Sequence, residues 1–361
     1  MELKLAAIDL GTVSSRLLCA TVRAGRVIES SKHTVITDLG EGVDAHGVFA
    51  PAAIERVAQA CAQFVDKARA FGAQVVCTTL TSAARDVSNG DDLLSRLRAL
   101  GLKPQVIPGE IEARLTFYGV AHDFAGERIA VADSGGGSTE IVVGAYGRAD
   151  AAFDVSRAES LNIGCRRVTE RFFSSMPPAA GEIDAAVSWV RPQFDAYWQG
   201  LGGCCPVGCD GLTACEGAAE RGADARDHLF ERETPAGRPD RLIAVGGTVT
   251  SLVAMVHKLE KYDSHFVHLR DLTLGELDAC IELMSSLDVA GIASLPGVQG
   301  KRAPVLLAGS LVIRELMRAG RYDRLTVSEN SLLAGAAATI YEAVSSEGAP
   351  VIGWTPELSG L

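Results

Sequence analysis

One phrase occurs twice in this chain with the same internal spacing: an apolar strand, Asp, any residue, Gly, two more residues, then Ser beside a second hydroxyl. The first copy is Ile8-Asp9-Leu10-Gly11-Thr12-Val13-Ser14-Ser15-Arg16-Leu17, and the second is Ala132-Asp133-Ser134-Gly135-Gly136-Gly137-Ser138-Thr139-Glu140-Ile141. The flanks (Leu5 to Ile8, Leu17 to Val22, Ile129 to Ala132, Ile141 to Val143) are strand-length apolar runs. Each copy therefore reads as a strand, a glycine-permitted turn and a returning strand. Two hairpins of one design imply two half-domains facing each other. At each tip glycine frees the backbone to aim successive N–H groups at an anion, the hydroxyls add donors, and the Asp at the strand end is able to hold a hydrated cation.

A single glycine-rich turn between core strands is ordinary, so the weight rests on repetition. A third segment adds to it. Leu242-Ile243-Ala244-Val245 reads as a strand that breaks at Gly246-Gly247 into a helix whose first turn carries Thr248, Thr250 and Ser251. The unpaired N–H groups of that turn offer another anion site.

At 361 residues the chain is long enough for two domains, each with its own core. Hydrophobic residues at 47% and charged residues at 22% are the balance of a compact folded chain, which excludes a disordered one. No apolar run reaches the roughly 18 residues of a membrane span. Met1 leads straight into a strand carrying Glu2 and Lys4, without a basic stretch followed by an apolar one, which points to the cytoplasm. A net charge of −11 argues against a nucleic-acid partner, because such domains present a basic face. Cys19, Cys61, Cys77, Cys165 and Cys280 are scattered and read as reduced, buried thiols. Cys204, Cys205, Cys209 and Cys215 crowd together, but their spacing lacks the C-x2-C knuckle of a zinc site and reads as a redox-exposed insertion.

Along the chain, strands are expected near Val27 to Thr37, Gln74 to Thr78, Pro104 to Ile107, Ala151 to Val155, Val305 to Ala308 and Leu325 to Val327. Helical periodicity runs from Pro51 to Phe71, Asp91 to Leu100, Leu274 to Met284, Leu311 to Ala319 and Ser331 to Tyr341, and further helices open after Gly109 and Gly164. Thr81 to Asn89 reads as a polar loop, and residues 200–240, rich in Gly, Cys, Asp and Arg, as an insertion. The expected domains are 1–125 and 126–345, both α/β.

The ordered phrases AIDLGTVSSRLL, TSAARDVSN from Thr81, PGEIEARLTFYGV from Pro108, ADSGGGSTEIVVG, SLNIGCRRVTERF from Ser160, AVGGTVTSL and LPGVQGKRAPVLLAG from Leu295 resemble the exopolyphosphatase / guanosine pentaphosphate phosphohydrolase (Ppx/GppA) family in its short form. The resemblance covers most of the chain outside the Cys-rich insertion. It implies two actin-like, ribonuclease H-like α/β domains with the active site in the cleft between them. It also implies removal of terminal phosphates from inorganic polyphosphate or pppGpp with Mg²⁺, or Mn²⁺ in its place, and leaves room for a homodimer.

Carried over by position, Glu112 matches the carboxylate that activates the attacking water. Asp133 and Glu140 match metal-organising residues, and Asp9, at the equivalent strand end of the first hairpin, is a third candidate metal residue. Gly135, Gly136, Gly137, Ser138 and Thr139 match the phosphate-cradling turn, and Gly11, Ser14, Ser15 and Arg16 its counterpart in the first hairpin. Gly247 and Thr248 fall in the third turn, and Arg85 matches an arginine lining the phosphate path. Three positions depart from the family pattern: Val13 replaces an Asn, Ser134 an apolar residue, and Ile111 a second acid.

Hydrolysis of a phosphoanhydride needs an in-line water, charge neutralisation and a positioned leaving phosphate, and these residue types supply all three. Arg85, Arg166, Arg167, Lys301 and Arg302 are candidates for a channel that grips phosphate oxygens with arginine forks. The histidines show no metal-ligand spacing, and no G-x-S-x-G elbow supports a protein nucleophile. Three readings stand: an exopolyphosphatase, a pppGpp 5'-phosphohydrolase needing a guanine pocket, and a non-catalytic phosphate or nucleotide sensor, against which Glu112 and Glu140 argue.

Overall fold

The computed structural model describes residues 1–23, 26–148, 153–201, 237–345 and 350–361. The Cys204–Cys215 cluster lies outside them. The first half is built on β1 (Glu2–Leu10), β2 (Ser14–Arg23), β3 (Arg26–Ile36), β4 (Val75–Leu80) and β5 (Pro104–Val106). β1, β2 and β3 form an antiparallel meander, β4 lies parallel to β1 on its other side, and β5 lies parallel to β4. The second half repeats the plan with β6 (Arg128–Ser134), β7 (Thr139–Tyr146), β8 (Phe153–Leu161), β9 (Leu242–Val245), β10 (Arg270–Thr273) and β11 (Arg324–Val327). β6, β7 and β8 are again an antiparallel meander with β9 parallel to β6. This is the two-domain actin-like arrangement.

Strand alternation explains why each sheet is covered on both faces. Along β1, Ala6, Ile8 and Leu10 enter one core with Ile54, Val57, Cys61 and Phe64 of the helix Pro51–Phe71. Leu3, Leu5 and Ala7 enter the opposite core with Leu333, Ala336, Ala337 and Ile340 of the helix Leu332–Ser345. The Pro51 helix has proline in its first turn and ends at Gly72, whose φ of 83° is the left-handed cap glycine accepts most readily. The helix Leu332–Ser345 and the last strand, β12 (Leu358–Gly360), both return to the first sheet, β12 pairing antiparallel with β4. Packing therefore groups the closing helix, which falls inside the expected 126–345 domain, with the first half.

Two expectations fail. Val305 to Ala308 is not a strand but the first turns of the helix Ala303–Gly320. A short apolar run fits either state, and burial continuing through Leu311, Val312, Ile313, Leu316 and Met317 selects the helix. Thr81 to Asn89 is not all loop, since Ser82–Arg85 forms a short helix. A helix the sequence reading passed over, Ala180–Gln199, buries Val190, Phe194, Tyr197 and Trp198 despite Pro192 in its interior. The five scattered cysteines are free and buried as expected. No helix among the described residues is long and apolar enough to cross a membrane.

The helix Gly109–Ala121 joins the halves. Leu115 and Tyr118 belong to the core beneath the first sheet, while Ala113, Phe117, Val120 and Ala121 pack on Ile129, Val131, Val142, Ile243 and Val245 of the second. It crosses the helix Leu332–Ser345 with backbones in contact. A Cβ on Gly335 would lie 1.9 Å from the Leu115 carbonyl oxygen, and one on Gly119 would lie 2.2 Å from that of Ser331. Gly335→Ala should therefore destabilise the protein by about 1–3 kcal/mol through overpacking, although alanine is the better helix former. Gly181→Ala, where nothing lies within 4 Å of the added carbon, is the control and should be neutral or slightly stabilising. Equal denaturation midpoints for the two variants would remove the crossing as a structural constraint.

Candidate active site

The two hairpin tips close identically. The Gly11 N–H donates to the Ser14 carbonyl at 3.0 Å, and the Gly135 N–H to the Ser138 carbonyl at 2.9 Å. The repeated phrase thus becomes a repeated turn, and the two turns meet head to head. A Cβ on Gly136 would lie 2.6 Å from Val13 Cγ2, and one on Gly137 would lie 2.6 Å from Ser82 Oγ, so only glycine permits this approach. The third turn follows β9, where Gly246 adopts φ +100° and the Arg302 guanidinium lies directly over Gly247, 1.8 Å from where a Cβ would stand. The helix Gly247–Val256 begins there.

These turns, with Arg16, Ser82, Glu112 and Arg302, line a cavity of about 60 Å³. A second cavity of about 140 Å³ shares Arg16, Gly246, Gly247 and Arg302 and continues past Lys32, Thr34, Thr250, Ser251, Tyr262 and Gln299.

Register sets the acids in place. Asp9 stands opposite Arg16 across β1 and β2, and Asp133 opposite Glu140 across β6 and β7, so equivalent positions hold a cation in one hairpin and an anion in the other. Arg16 Nε donates to Asp9 Oδ2 at 2.8 Å, while Asp9 Oδ1 is buried with no partner. Glu140 Oε1 accepts from Ser138 at 2.7 Å and Ser160 at 2.6 Å. Glu112 lies in the first turn of the Gly109 helix, its Oε2 accepting from Arg85 Nη1 at 2.8 Å; the same nitrogen donates to the Ile107 carbonyl at 3.0 Å. Arg85 Nη2 lies 3.9 Å from Glu140 Oε1.

Four buried carboxylates are thus met directly by two arginines, and their proton affinities reflect it. Burial raises Glu112 well above the ordinary carboxylate range, and Glu140 adds to the shift against the opposing pull of Arg85. Burial likewise raises Glu140, with Asp133 adding to it, and raises Asp133, with Asp9 adding to it while Arg16 opposes.

Of the residues singled out in sequence, Gly11, Ser14, Arg16, Glu112, Asp133, Gly135, Gly136, Gly137, Ser138, Glu140, Gly247 and Thr248 come together around the smaller cavity. Ser15, Thr139, Asp9 and Arg85 do not line it. Strand alternation turns Ser15 away from Ser14, and its hydroxyl pairs with Thr37 at 2.9 Å. Thr139 donates to the Ile163 carbonyl at 2.6 Å, which ties the second turn to the chain beyond β8. Arg85, expected to line the phosphate path, lies just outside the cavity lining and donates to Glu112. Asp9 stands behind Arg16. Among the described residues no three His, Cys, Asp or Glu side chains form a metal-binding group, so Asp9, Asp133 and Glu140 do not make a cage by themselves.

The proposed channel arginines also divide. Arg302 lines both cavities. Arg166 pairs with Asp38 and Glu170, and Arg167 with Asp44 and Asp86, so these two clasp the halves together across one side of the cleft. Thr12 and Ser82 line the smaller cavity without having been singled out. Both are hydroxyls inside the quoted phrases, and that was the available signal.

The acid cluster sets a pH-dependent cost. A carboxyl whose folded pKa is raised favours the folded state while it is protonated, and that contribution is lost as pH rises through the folded value. Glu140→Gln stays neutral at every pH. In chelator, its melting temperature should match the wild type in acid and exceed it increasingly as pH climbs above the ordinary carboxylate range of about 4.3. A difference that is constant with pH would mean that Glu140 carries no such cost.

The model of the Ppx/GppA phosphatase family matches residues 19–200. Exopolyphosphatase 2 of Mycobacterium tuberculosis is 31% identical over 353 residues, which span 93% of this chain and 98% of that protein. The guanosine-5'-triphosphate,3'-diphosphate pyrophosphatase of Photobacterium profundum is 34% identical over 214 residues, covering 58% of this chain and 42% of that protein. The crystal structure of the Ppx/GppA family member from Aquifex aeolicus matches with a TM-score of 0.71 at 25% identity, over 97% of this chain and all of that one (100%). With the cleft between two like halves and a relationship that runs nearly the full length of both chains, the protein belongs to the Ppx/GppA phosphatase family.

Proposed function

We propose that this phosphatase is an exopolyphosphatase, releasing terminal orthophosphate from inorganic polyphosphate by direct attack of water. The observation that carries the reading is Glu112 fixed by Arg85 on the wall of the small cavity that the glycine turns also line. That cavity receives the terminal phosphoryl group, whose oxygens accept from the turn N–H groups and from Ser14. Because Arg85 occupies Oε2, Oε1 of Glu112 is the oxygen that accepts the proton of the attacking water. A bond forms from water oxygen to phosphorus, the anhydride bond on the opposite side breaks, and the shortened chain departs with the electron pair. The adjoining cavity, with Arg16, Lys32, Arg302 and the hydroxyls of Thr34, Thr250 and Ser251, suits the phosphates that follow.

Phosphatases of this family generally depend on a divalent metal. The residues fit one: Asp9 Oδ1 is buried and unpartnered, and the surplus carboxylates alone would repel a polyanion. Asp9 and Asp133, with Glu140 beside them, would hold Mg²⁺ or Mn²⁺ together with phosphate oxygens, the one- or two-carboxylate mode that Mg²⁺ favours. When bound, the ion neutralises charge on the phosphates.

A second reading, pppGpp as substrate, is favoured by one feature. Tyr262 offers an aromatic surface in the larger cavity, with its hydroxyl tied to Glu329. Phosphate release from long polyphosphate, pppGpp and ATP, measured in parallel with Mg²⁺ and with chelator, decides between them. Polyphosphate should be the best substrate, and chelator should abolish turnover. A preference for pppGpp would transfer the assignment to the alarmone.

Glu112→Gln should lower kcat by roughly 10²–10⁴ with little change in substrate affinity. Wild-type turnover in that variant would take Glu112 out of the chemistry. Arg85 gives a sharper test. The base must be ionised, so kcat/KM should fall as pH drops through the raised Glu112 value. Arg85 opposes that rise, so Arg85→Ala should move the acid limb to higher pH and lower kcat. If the variant only raises KM and leaves the pH profile in place, Arg85 is a phosphate ligand.

A further inference from the structure

Seven buried side-chain atoms among the described residues have no hydrogen-bond partner, and Ser82 Oγ alone belongs to a residue lining the small cavity. Ser82 is 3% exposed and opens the short helix Ser82–Arg85, the same turn that delivers Arg85 to Glu112. Its Oγ lies 2.6 Å from where a Gly137 Cβ would stand, so the hydroxyl faces the backbone of the second phosphate turn across the space where Gly137 has no side chain. Thr12, Glu112 and Ser138 line the same space.

A buried hydroxyl without a partner is disfavoured, and native structures satisfy nearly all of them. Among the hydroxyls around the acid cluster, Ser138 and Ser160 are committed to Glu140, Thr139 to the Ile163 carbonyl, and Ser15 to Thr37, while Thr78 and Thr116, buried and unpartnered like Ser82, do not line the cavity. Ser82 is the one unsatisfied hydroxyl among the described residues that lines the cavity, where it faces Gly137 of the second turn. We propose that Ser82 is an additional phosphate-binding residue, its Oγ–H donating to a non-bridging oxygen of the phosphoryl group held in the small cavity. The inference rests on the phosphatase reading of this site for the identity of the anion. It requires no rearrangement of the protein, because no existing hydrogen bond has to break for Oγ–H to turn toward the ligand.

This gives Ser82 an unusual pair of expected effects. Ser82→Ala removes an unsatisfied polar group and leaves no partner behind, so the free variant should melt at the wild-type temperature or about 1–3 °C above it. The same change deletes one donor to a charged acceptor. In the presence of Mg²⁺, its affinity for inorganic phosphate, measured by titration calorimetry or ligand-induced thermal shift, should fall roughly 10- to 100-fold. kcat/KM for phosphate release should fall by a similar factor. Unchanged orthophosphate affinity would overturn the proposal. So would a melting temperature several degrees below wild type, since that would give the hydroxyl a structural partner, and so would a wild-type protein that binds no orthophosphate. If the wild type releases phosphate neither from polyphosphate nor from pppGpp while Ser82→Ala still weakens orthophosphate binding, the catalytic reading fails and the role of Ser82 stands.

Discussion

The contact on which the rest of this structure depends is the crossing of two helices at Gly119 and Gly335, where side chains are absent and backbones touch. It lets the Gly109 helix lie close enough to the Leu332 helix to share the first sheet's core while its other face fills the core of the second sheet. One helix is thereby buried on both sides, and its first turn ends at the cleft. Glu112 owes its burial and its position to that geometry rather than to any local preference. A bulkier residue at either crossing point would push the sheets apart and carry the carboxylate away from the glycine turns.

The cleft itself is an arrangement of unbalanced charge. Asp9, Glu112, Asp133 and Glu140 are all buried, and only Arg16 and Arg85 bond to them directly. In water such a cluster would cost little; inside the protein it raises carboxyl pKa values and leaves Asp9 Oδ1 and Ser82 Oγ unsatisfied. Groups that are poorly satisfied in the free protein are ready for a ligand, since binding then adds interactions without first removing any. The opposing surfaces are held by pairs of ordinary kind: Arg166 to Asp38 and Arg167 to Asp44 and Asp86 on one side, Lys32 to the Glu329 carbonyl at 2.6 Å on the other. Asp38, Asp44, Asp86 and Lys32 come from the first half and Arg166, Arg167 and Glu329 from the second, so the clasp links the same two bodies that the cleft separates.

The duplicated phrase was the feature most legible in sequence because its information is local. Strand alternation, a glycine turn and the offset from Asp to Ser are all short-range properties, and the two turns close with the same N–H to carbonyl bond. The Pro51–Phe71 helix was legible for a similar reason: proline at its start, glycine at its end and a regular apolar stripe between them. Errors fell where local information is degenerate. Val305 to Ala308 is apolar on every side, as both a buried strand and a buried helix would be, and the Ala180–Gln199 helix was obscured by Pro192.

The sequence by itself determined the two-hairpin design, its glycine turns and the family, because repeated spacing and ordered phrases survive without knowledge of contacts. Only the tertiary structure decided which hydroxyls face the cavity. Ser14 and Ser15 are neighbours in sequence, yet pleating sends one to the site and the other to Thr37. It also decided that Arg85 bonds to Glu112, that Arg166 and Arg167 clasp the two halves, and that Arg302 alone of the proposed channel arginines and lysine lines both cavities. A charged side chain takes its role from whichever opposite charge the fold brings within a few ångströms: for Arg85 that is Glu112, 27 residues away, and for Arg166 it is Asp38, 128 residues away, beside its helix neighbour Glu170.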